Sequence, residues 1–420
     1  MKISKNAQNA ILIGTLCSIS YLAVYFARNI LSAVTPQMLE TGGFTTEYIG
    51  KVSSIYFIFY AVGQLINGLI GDKIKARYMI SFGLLLAGVA NFIFSKIAAT
   101  NPQMAIAVYG MTGFFLAMIY APMTKVVAEN TEPVYATRCS LGYTFASFFG
   151  SPLAGMVAAA LVWQSVFAVS SVALGVMAVL CFVFFLYFEK KGFVKYNQYD
   201  RVKKSGGLTS LIDNVKVLYR YRIVKFSLIS ILTGVVRTAV VFWLPTYISQ
   251  YLGFSPSESA SIFTVATFII SLTTFVAIFI YERLGRDMDK TVLLMFTCSA
   301  AFFLAVYFVK LPVANIALMV LAVMASNGAA TMLWSRYCPS LRDTGMVSSA
   351  TGFLDFLSYM AASASSSIFA DAVGGIGWGN LILVWFGLMI VGVLIALPYN
   401  KIFKKNSDVL NVIDENENLN

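Results

Sequence analysis

The sequence predicts an all-α membrane protein, with twelve transmembrane helices in two pseudo-symmetric six-helix bundles. Three observations predict it. Of 420 residues, 59% are hydrophobic and only 12% charged, against roughly 45–50% and about 25% in a soluble domain. Twelve apolar runs each approach the ~20 residues that cross a hydrocarbon layer ~30 Å thick. The two halves of the chain also repeat one pattern of polar and turn residues at matched places. This composition excludes a soluble enzyme. The absence of histidine removes the commonest catalytic base and metal ligand and excludes His-dependent triads. Cys17, Cys139, Cys181, Cys298 and Cys338 lack CxxC spacing and read as small core residues, so neither a metal nor any other cofactor is implied.

The runs fall at 10–39, 48–71, 78–98, 103–127, 136–160, 164–188, 226–252, 259–281, 291–310, 312–335, 345–370 and 377–399. The fourth and tenth are interrupted by polar residues. Lys2 and Lys5 before the first run mimic a signal peptide, but no small-residue cleavage pattern follows, so the run reads as a retained span. Of the 30 basic residues, 24 fall in loops on one side, while the opposite loops offer only Lys96 and Lys310. The positive-inside rule then places both termini in the cytoplasm. The basic surplus is an orientation signal and not a nucleic-acid footprint. The long basic stretch 189–225, with Gly206 and Gly207 inside it, reads as a linker between an N-terminal bundle (1–188) and a C-terminal bundle (226–400). The Asn-rich, acidic tail 401–420 has too little apolar content to pack and reads as disordered. Short loops without an Asn-x-Ser/Thr sequon suit a bacterial inner membrane, and a monomer is expected.

The repeat joins spans 1 and 7. Pro36 lies 8 residues after Arg28 and Pro245 lies 8 after Arg237; Gly43-Phe44 and Gly253-Phe254 follow, then Glu47 and Glu258. Six-span halves of common ancestry, related by an axis along the membrane normal, are the plan of the major facilitator transporters, whose site lies at the midplane between the halves.

Arg237 has no charged neighbour from Phe226 to Ser257, and Arg28 is followed by eleven uncharged residues. A guanidinium left at that depth unpaired costs about 2.5–3.5 kcal/mol on insertion scales. A snorkelling arginine is the ordinary alternative. The matched placement favours two guanidinium forks aimed at a central cavity, a geometry that binds phosphate or carboxylate bidentately. Tyr21, Tyr25 and Arg28 share one face of span 1 by their spacing, as do Tyr56, Tyr60 and Gln64 on span 2. Such stripes are ordinarily packing faces, but ones ending in arginine or glutamine suit a polar cavity wall.

Gly68-Leu-Ile-Gly-Asp72-Lys-Ile-Lys-Ala-Arg77 resembles the major facilitator signature between spans 2 and 3. The resemblance implies a conformational latch made of Gly68, Asp72 and Arg77, with glycine permitting close helix contact and Asp72 pairing across to the neighbouring bundle; an ordinary basic loop is the alternative. Only the degenerate Glu282-Arg-Leu-Gly-Arg-Asp287 stands at the matching place. Tyr21, Tyr25, Arg28, Tyr60, Arg237 and Trp243-Leu-Pro245-Thr246-Tyr247, with Gly352 to Tyr359 in span 11, further resemble the organophosphate:phosphate antiporter family, which includes glycerol-phosphate and hexose-phosphate transporters. That resemblance implies that Arg28 and Arg237 bind a phosphate group, that the tyrosines line the site, and that a phosphorylated metabolite exchanges for inorganic phosphate as two bundles rock.

The chain departs from the family at several positions. Asn29 stands where the family has lysine, Gln64 aligns with a family lysine, and the family's span 5 histidine has no counterpart. Asp355 sits well inside span 11, where the family is glycine-rich, and reads as a substrate contact, a counter-ion to Arg237, a proton carrier or a helix-interior pair. Lys125 resembles a family lysine near the inner end of span 4 and equally suits an inner-surface anchor. The expected function is secondary transport of an organic anion, phosphorylated or phosphonate-like, by alternating access, with phosphate or protons as co-substrate. A proton-coupled exporter is a rival, suggested by Gly150-Ser-Pro152-Leu-Ala-Gly155. So is a membrane sensor of sugar phosphates, against which the lack of an appended signalling domain weighs.

Overall fold

A computed structural model describes residues 5–41, 43–70, 74–196, 222–341 and 347–397. The helices run in order: α1 Lys5–Thr41, α2 Thr46–Ile70, α3 Ala76–Ile97, α4 Pro102–Asn130, α5 in two pieces (Pro133–Phe148 and Gly150–Ala160), and α6 Trp163–Lys190. There follow α7 Ile223–Gln250, α8 Pro256–Arg283, α9 Met288–Phe308, α10 Pro312–Tyr337, α11 Val347–Gly375 and α12 Gly377–Ala396. Among the described residues, ten helices are long and apolar enough to cross a membrane. The other two are α5, divided at Phe149, and α11, which carries Asp355 and the polar run Ser363–Ser367. Most of the predicted linker and all of the predicted tail lie outside the described residues, as does Asp72.

The helices outrun the predicted apolar runs where polar residues are tolerated at their ends. Thus α1 starts at Lys5 and continues through Pro36 to Thr41, and α7 likewise continues through Pro245. Proline is accommodated in such helices because neighbouring groups satisfy the carbonyl it frees. The repeat predicted from sequence has a local geometric basis. Gly43 (φ 65°) and Gly253 (φ 79°) both adopt the left-handed conformation after α1 and α7, which glycine enters without a Cβ penalty. Glu47 and Glu258 then open α2 and α8, where a carboxylate suits the helix dipole. Ser255 and Glu258 complete a capping box.

Within the first half α3 packs on α6, α2 on α4, and α1 on α5; within the second, α9 packs on α10 and α12, and α7 on α11. The halves meet mainly through α2 with α11, α5 with α8, and α1 with α7 and α8. Small residues let these pairs approach closely, as is usual for helices in lipid. A Cβ on Gly50 would lie 2.5 Å from the Ala370 Cβ, and one on Gly155 would lie 2.8 Å from the Ala260 carbonyl oxygen. Hydroxyls stitch the same seams: Ser53 to Ser366 (3.1 Å), Ser54 to Ser363 (2.9 Å), Ser32 to the Phe242 carbonyl (2.6 Å) and Ser257 to the Ala159 carbonyl (2.8 Å).

These links all lie toward the end where α1 turns into α2, far from the end that carries the N-terminus. Near the terminus-bearing end, the ion pairs among the described residues stay within one half. Arg77 on α3 meets Glu189 on α6 at 2.9 Å, and Arg222 and Lys225 meet Asp289 at 2.9 and 3.2 Å. The structure therefore has its far end closed by contacts between the halves. Gly50→Val should wedge that seam apart, since overpacking costs about 1–3 kcal/mol. A cysteine introduced as Ser54→Cys should then react several-fold faster with a water-soluble maleimide than in the Gly50 background.

Candidate functional site

The two arginines reach the seam between the halves from matched helices. Arg28 projects from α1, where its Nη1 donates to the Tyr359 hydroxyl of α11 at 2.7 Å. Its guanidinium carbon also lies 5.3, 5.2 and 4.8 Å from the ring centres of Tyr25, Tyr60 and Tyr359, so aromatic faces replace much of the water it has lost. Arg237 projects from α7 and lies 5.8 Å from the Trp334 ring and 5.9 Å from the Tyr359 ring. One tyrosine ring is therefore shared by two guanidiniums from different halves.

Two glycines set this arrangement. A Cβ on Gly150 would lie 2.6 Å from the Tyr25 carbonyl carbon, so α5 presses directly on the α1 backbone one turn before Arg28. A Cβ on Gly234 would lie 2.6 Å from the Ser358 carbonyl oxygen, which brings α7 against α11 just before Arg237 and next to Tyr359. Beyond Gly234 the helix widens into a π segment, Val235–Val240, with Arg237 inside it. A second π segment, Leu333–Tyr337 in α10, holds Trp334. π-bulges of this kind are rare and frequent at functional sites. Here one contains Arg237 and the other sets a ring against it.

The remaining electrostatics are asymmetric. Asp355, one helical turn before Tyr359 and on the same face of α11, places Oδ1 3.9 Å from Arg237 Nη2, with both side chains 31% exposed. That Nη2 atom is buried without a hydrogen-bond partner. Arg28 is thus hydrogen-bonded and ringed by aromatics, while Arg237 keeps an unused donor.

Of the residues predicted from sequence, Tyr25, Arg28, Tyr60, Arg237 and Asp355 are brought together around Tyr359. Tyr21 joins from behind, 5.0 Å from Tyr25 and 5.4 Å from Tyr120 between ring centres. Gln64 is half-buried one turn from Tyr60 toward the terminus-bearing end, with no hydrogen bond among the described residues. Gly68 lies in the last turn of α2, Asp72 lies outside the described residues, and Arg77 pairs within its own half, with Glu189. Lys125 is half-buried in the second part of α4. In the sequence Tyr359, the hub of the cluster, stands out only as the last residue of the family-like segment Gly352 to Tyr359, and Trp334 does not stand out. The aromatic and polar residues that end the tenth run were its one available signal.

The Major Facilitator Superfamily pattern matches residues 17–366. The chain is 23% identical over 409 residues to the glycerol-3-phosphate transporter of Bacillus subtilis, covering 91% of this chain and 90% of that one. It is 22% identical over 407 residues to the phosphoglycerate transporter protein of Salmonella typhimurium, covering 88% and 85%. Among solved structures, a D-xylose-proton symporter superposes with a TM-score of 0.73 at 13% identity, over 92% of this chain and 97% of that one; this likeness speaks for the fold. Independently of these comparisons, Tyr359→Phe should lower thermal stability by about 1.5–3 kcal/mol by removing the acceptor of a charged donor. Tyr60→Phe, which removes a hydroxyl without a hydrogen-bond partner among the described residues, should leave the unfolding midpoint nearly unchanged.

Proposed function

We propose that this chain, which belongs to the Major Facilitator Superfamily, is a secondary active transporter of a phosphorylated metabolite, working by alternating access and exchanging its substrate for inorganic phosphate. The observation that carries this reading is the convergence of Arg28 and Arg237, from matched helices of the two halves, on the Tyr359 ring. Two fixed guanidiniums at mid-depth form a site for an oxyanion, because each planar fork accepts a phosphate or carboxylate bidentately. Full-length relatives named as transporters of glycerol-3-phosphate and phosphoglycerate support a phosphate ester over a plain carboxylate.

The mechanism follows from which seams are joined. With both termini in the cytoplasm, as the basic-residue distribution favours, the closed far end faces outward and the arginines are reached from the cytoplasmic side. A bound anion contacts both halves at once and stabilises the arrangement in which they close around it. A ligand shifts such an equilibrium only by its differential affinity for the two states, and one that bridges the halves has that property. The latch sequence at Gly68, Asp72 and Arg77 belongs to the opposite state, in which the cytoplasmic ends meet.

The test is phosphate exchange in proteoliposomes. Arg28→Ala and Arg237→Ala should each weaken phosphate or phosphoester binding by about tenfold to a hundredfold, corresponding to the ~1.5–3 kcal/mol of a charge-assisted pairing. Lysine at either position should not restore it, because lysine lacks the fork. Unchanged affinity in both alanine variants, at normal membrane expression, would refute the anion site.

A further inference from the structure

Asp355 has no role in holding a simple phosphate, yet it stands beside the arginine expected to hold one. A purely structural ion pair in this protein has a recognisable form. Arg77 and Glu189 meet at 2.9 Å, with side chains 9% and 15% exposed, and Tyr196 adds a 3.0 Å hydrogen bond to the same carboxylate. The pair of Arg237 and Asp355 differs in length, in exposure and in lacking a third partner, although each arginine keeps one buried nitrogen without a partner, Arg77 Nε and Arg237 Nη2. It is the longest ion pair among the described residues, at 3.9 Å, and both side chains are 31% exposed. Arg237 Nη2 is buried and unpartnered, and the Asp355 carboxylate accepts no hydrogen bond from a described residue. A carboxylate has about four lone-pair sites; here they are unused at a depth where leaving an ion unsatisfied is expensive.

The side of α11 that carries the carboxylate is set by its place in the helix. Asp355 and Tyr359 are four residues apart and share a face of α11, and that face meets Arg28 and Tyr60 of the opposite half through Tyr359. Asp355 therefore opens into the cleft between the halves, on the terminus-bearing side of the arginines. Gln64, the next turn of α2 after Tyr60, carries an unused amide on the facing helix at that level. The cluster of two guanidiniums and one carboxylate bears one net positive charge. A dianionic phosphomonoester would leave it one charge negative, whereas a phosphomonoester bearing an ammonium group would leave it neutral.

From this we infer that Asp355 is the ammonium-binding half of a two-part site, and that the substrate is a phosphorylated amine whose phosphate sits on Arg28 and Arg237 while its protonated nitrogen donates to Asp355. This rests on the anion site proposed above and names its substrate class. The ligand would supply each group with what it lacks: an acceptor for Arg237 Nη2, and donors for the Asp355 carboxylate.

The experiment titrates the purified full chain with 2-aminoethyl phosphate and with ethyl phosphate, ligands that differ only in the ammonium group, and with inorganic phosphate. The wild type should bind 2-aminoethyl phosphate at least about tenfold more tightly than ethyl phosphate, the least expected of one charge-assisted bond. Asp355→Asn should lose that preference while binding ethyl phosphate as well as or better than the wild type, and Asp355→Glu should keep part of it. Equal binding of the two ligands by the wild type, or a preference that survives in Asp355→Asn, overturns the ammonium site and leaves the anion site standing. Failure of all three ligands to bind the wild type overturns the anion site, and the inference with it. The wild-type comparison needs no variant, so it decides the matter even if Asp355→Asn does not fold.

Discussion

A guanidinium cannot be placed at the middle of an apolar bundle without something to take the place of its water. Arg28 and Arg237 impose that requirement, and much of the seam between the halves can be read as the answer to it. Arg28 is supplied with a hydroxyl and four aromatic faces. Arg237 is supplied with two ring faces and a distant carboxylate. Supplying both from a single tyrosine brings α11 into contact with α1 and α7 at one level, which in turn requires that Gly234 let α7 lie against Ser358 and Gly150 let α5 lie against Tyr25.

The two halves begin as repeats and end as unequal partners. The matched prolines, left-handed glycines and first-turn glutamates of α1–α2 and α7–α8 preserve the common plan. The arginines preserve its polarity. Their surroundings do not: α7 is interrupted by a π segment where α1 is a continuous α-helix, and Asp355 stands beside only one of them. The π segment surrounds the second arginine itself, whereas the first stands in regular α-helix.

The architecture was legible in the sequence because lipid leaves few alternatives. A segment of about 20 apolar residues in a bilayer must satisfy its own backbone, and the helix does so. Arg28, Arg237 and Asp355 were legible for a related reason, since charged groups at that depth stand out against their surroundings, and Tyr25 and Tyr60 were legible because their stripes end in Arg28 and Gln64. What could not be read was packing. No local pattern marked Tyr359 as the residue both arginines would share, because tyrosine at helical spacing is ordinary core. The π segments left no trace, since an extra residue in a helical turn depends on what packs around it. Arg77 shows the same limit: its place in a loop signature did not reveal that Glu189, 112 residues later, would be its partner.

Across the far seam, hydroxyl pairs and hydroxyl-to-carbonyl bonds accompany the close packing of Gly50 on Ala370 and of Gly155 on Ala260. A serine that leaves its partner on another helix finds water or its own carbonyl four residues back, so parting the seam exchanges one hydrogen bond for another at little net cost. Hydrocarbon surfaces parted in the same place would be wetted at a cost that grows with their area. The join between Ser53, Ser54, Ser363 and Ser366 thus provides registration without adhesion: it specifies where the halves meet while leaving the duration of the meeting to whatever occupies the cleft.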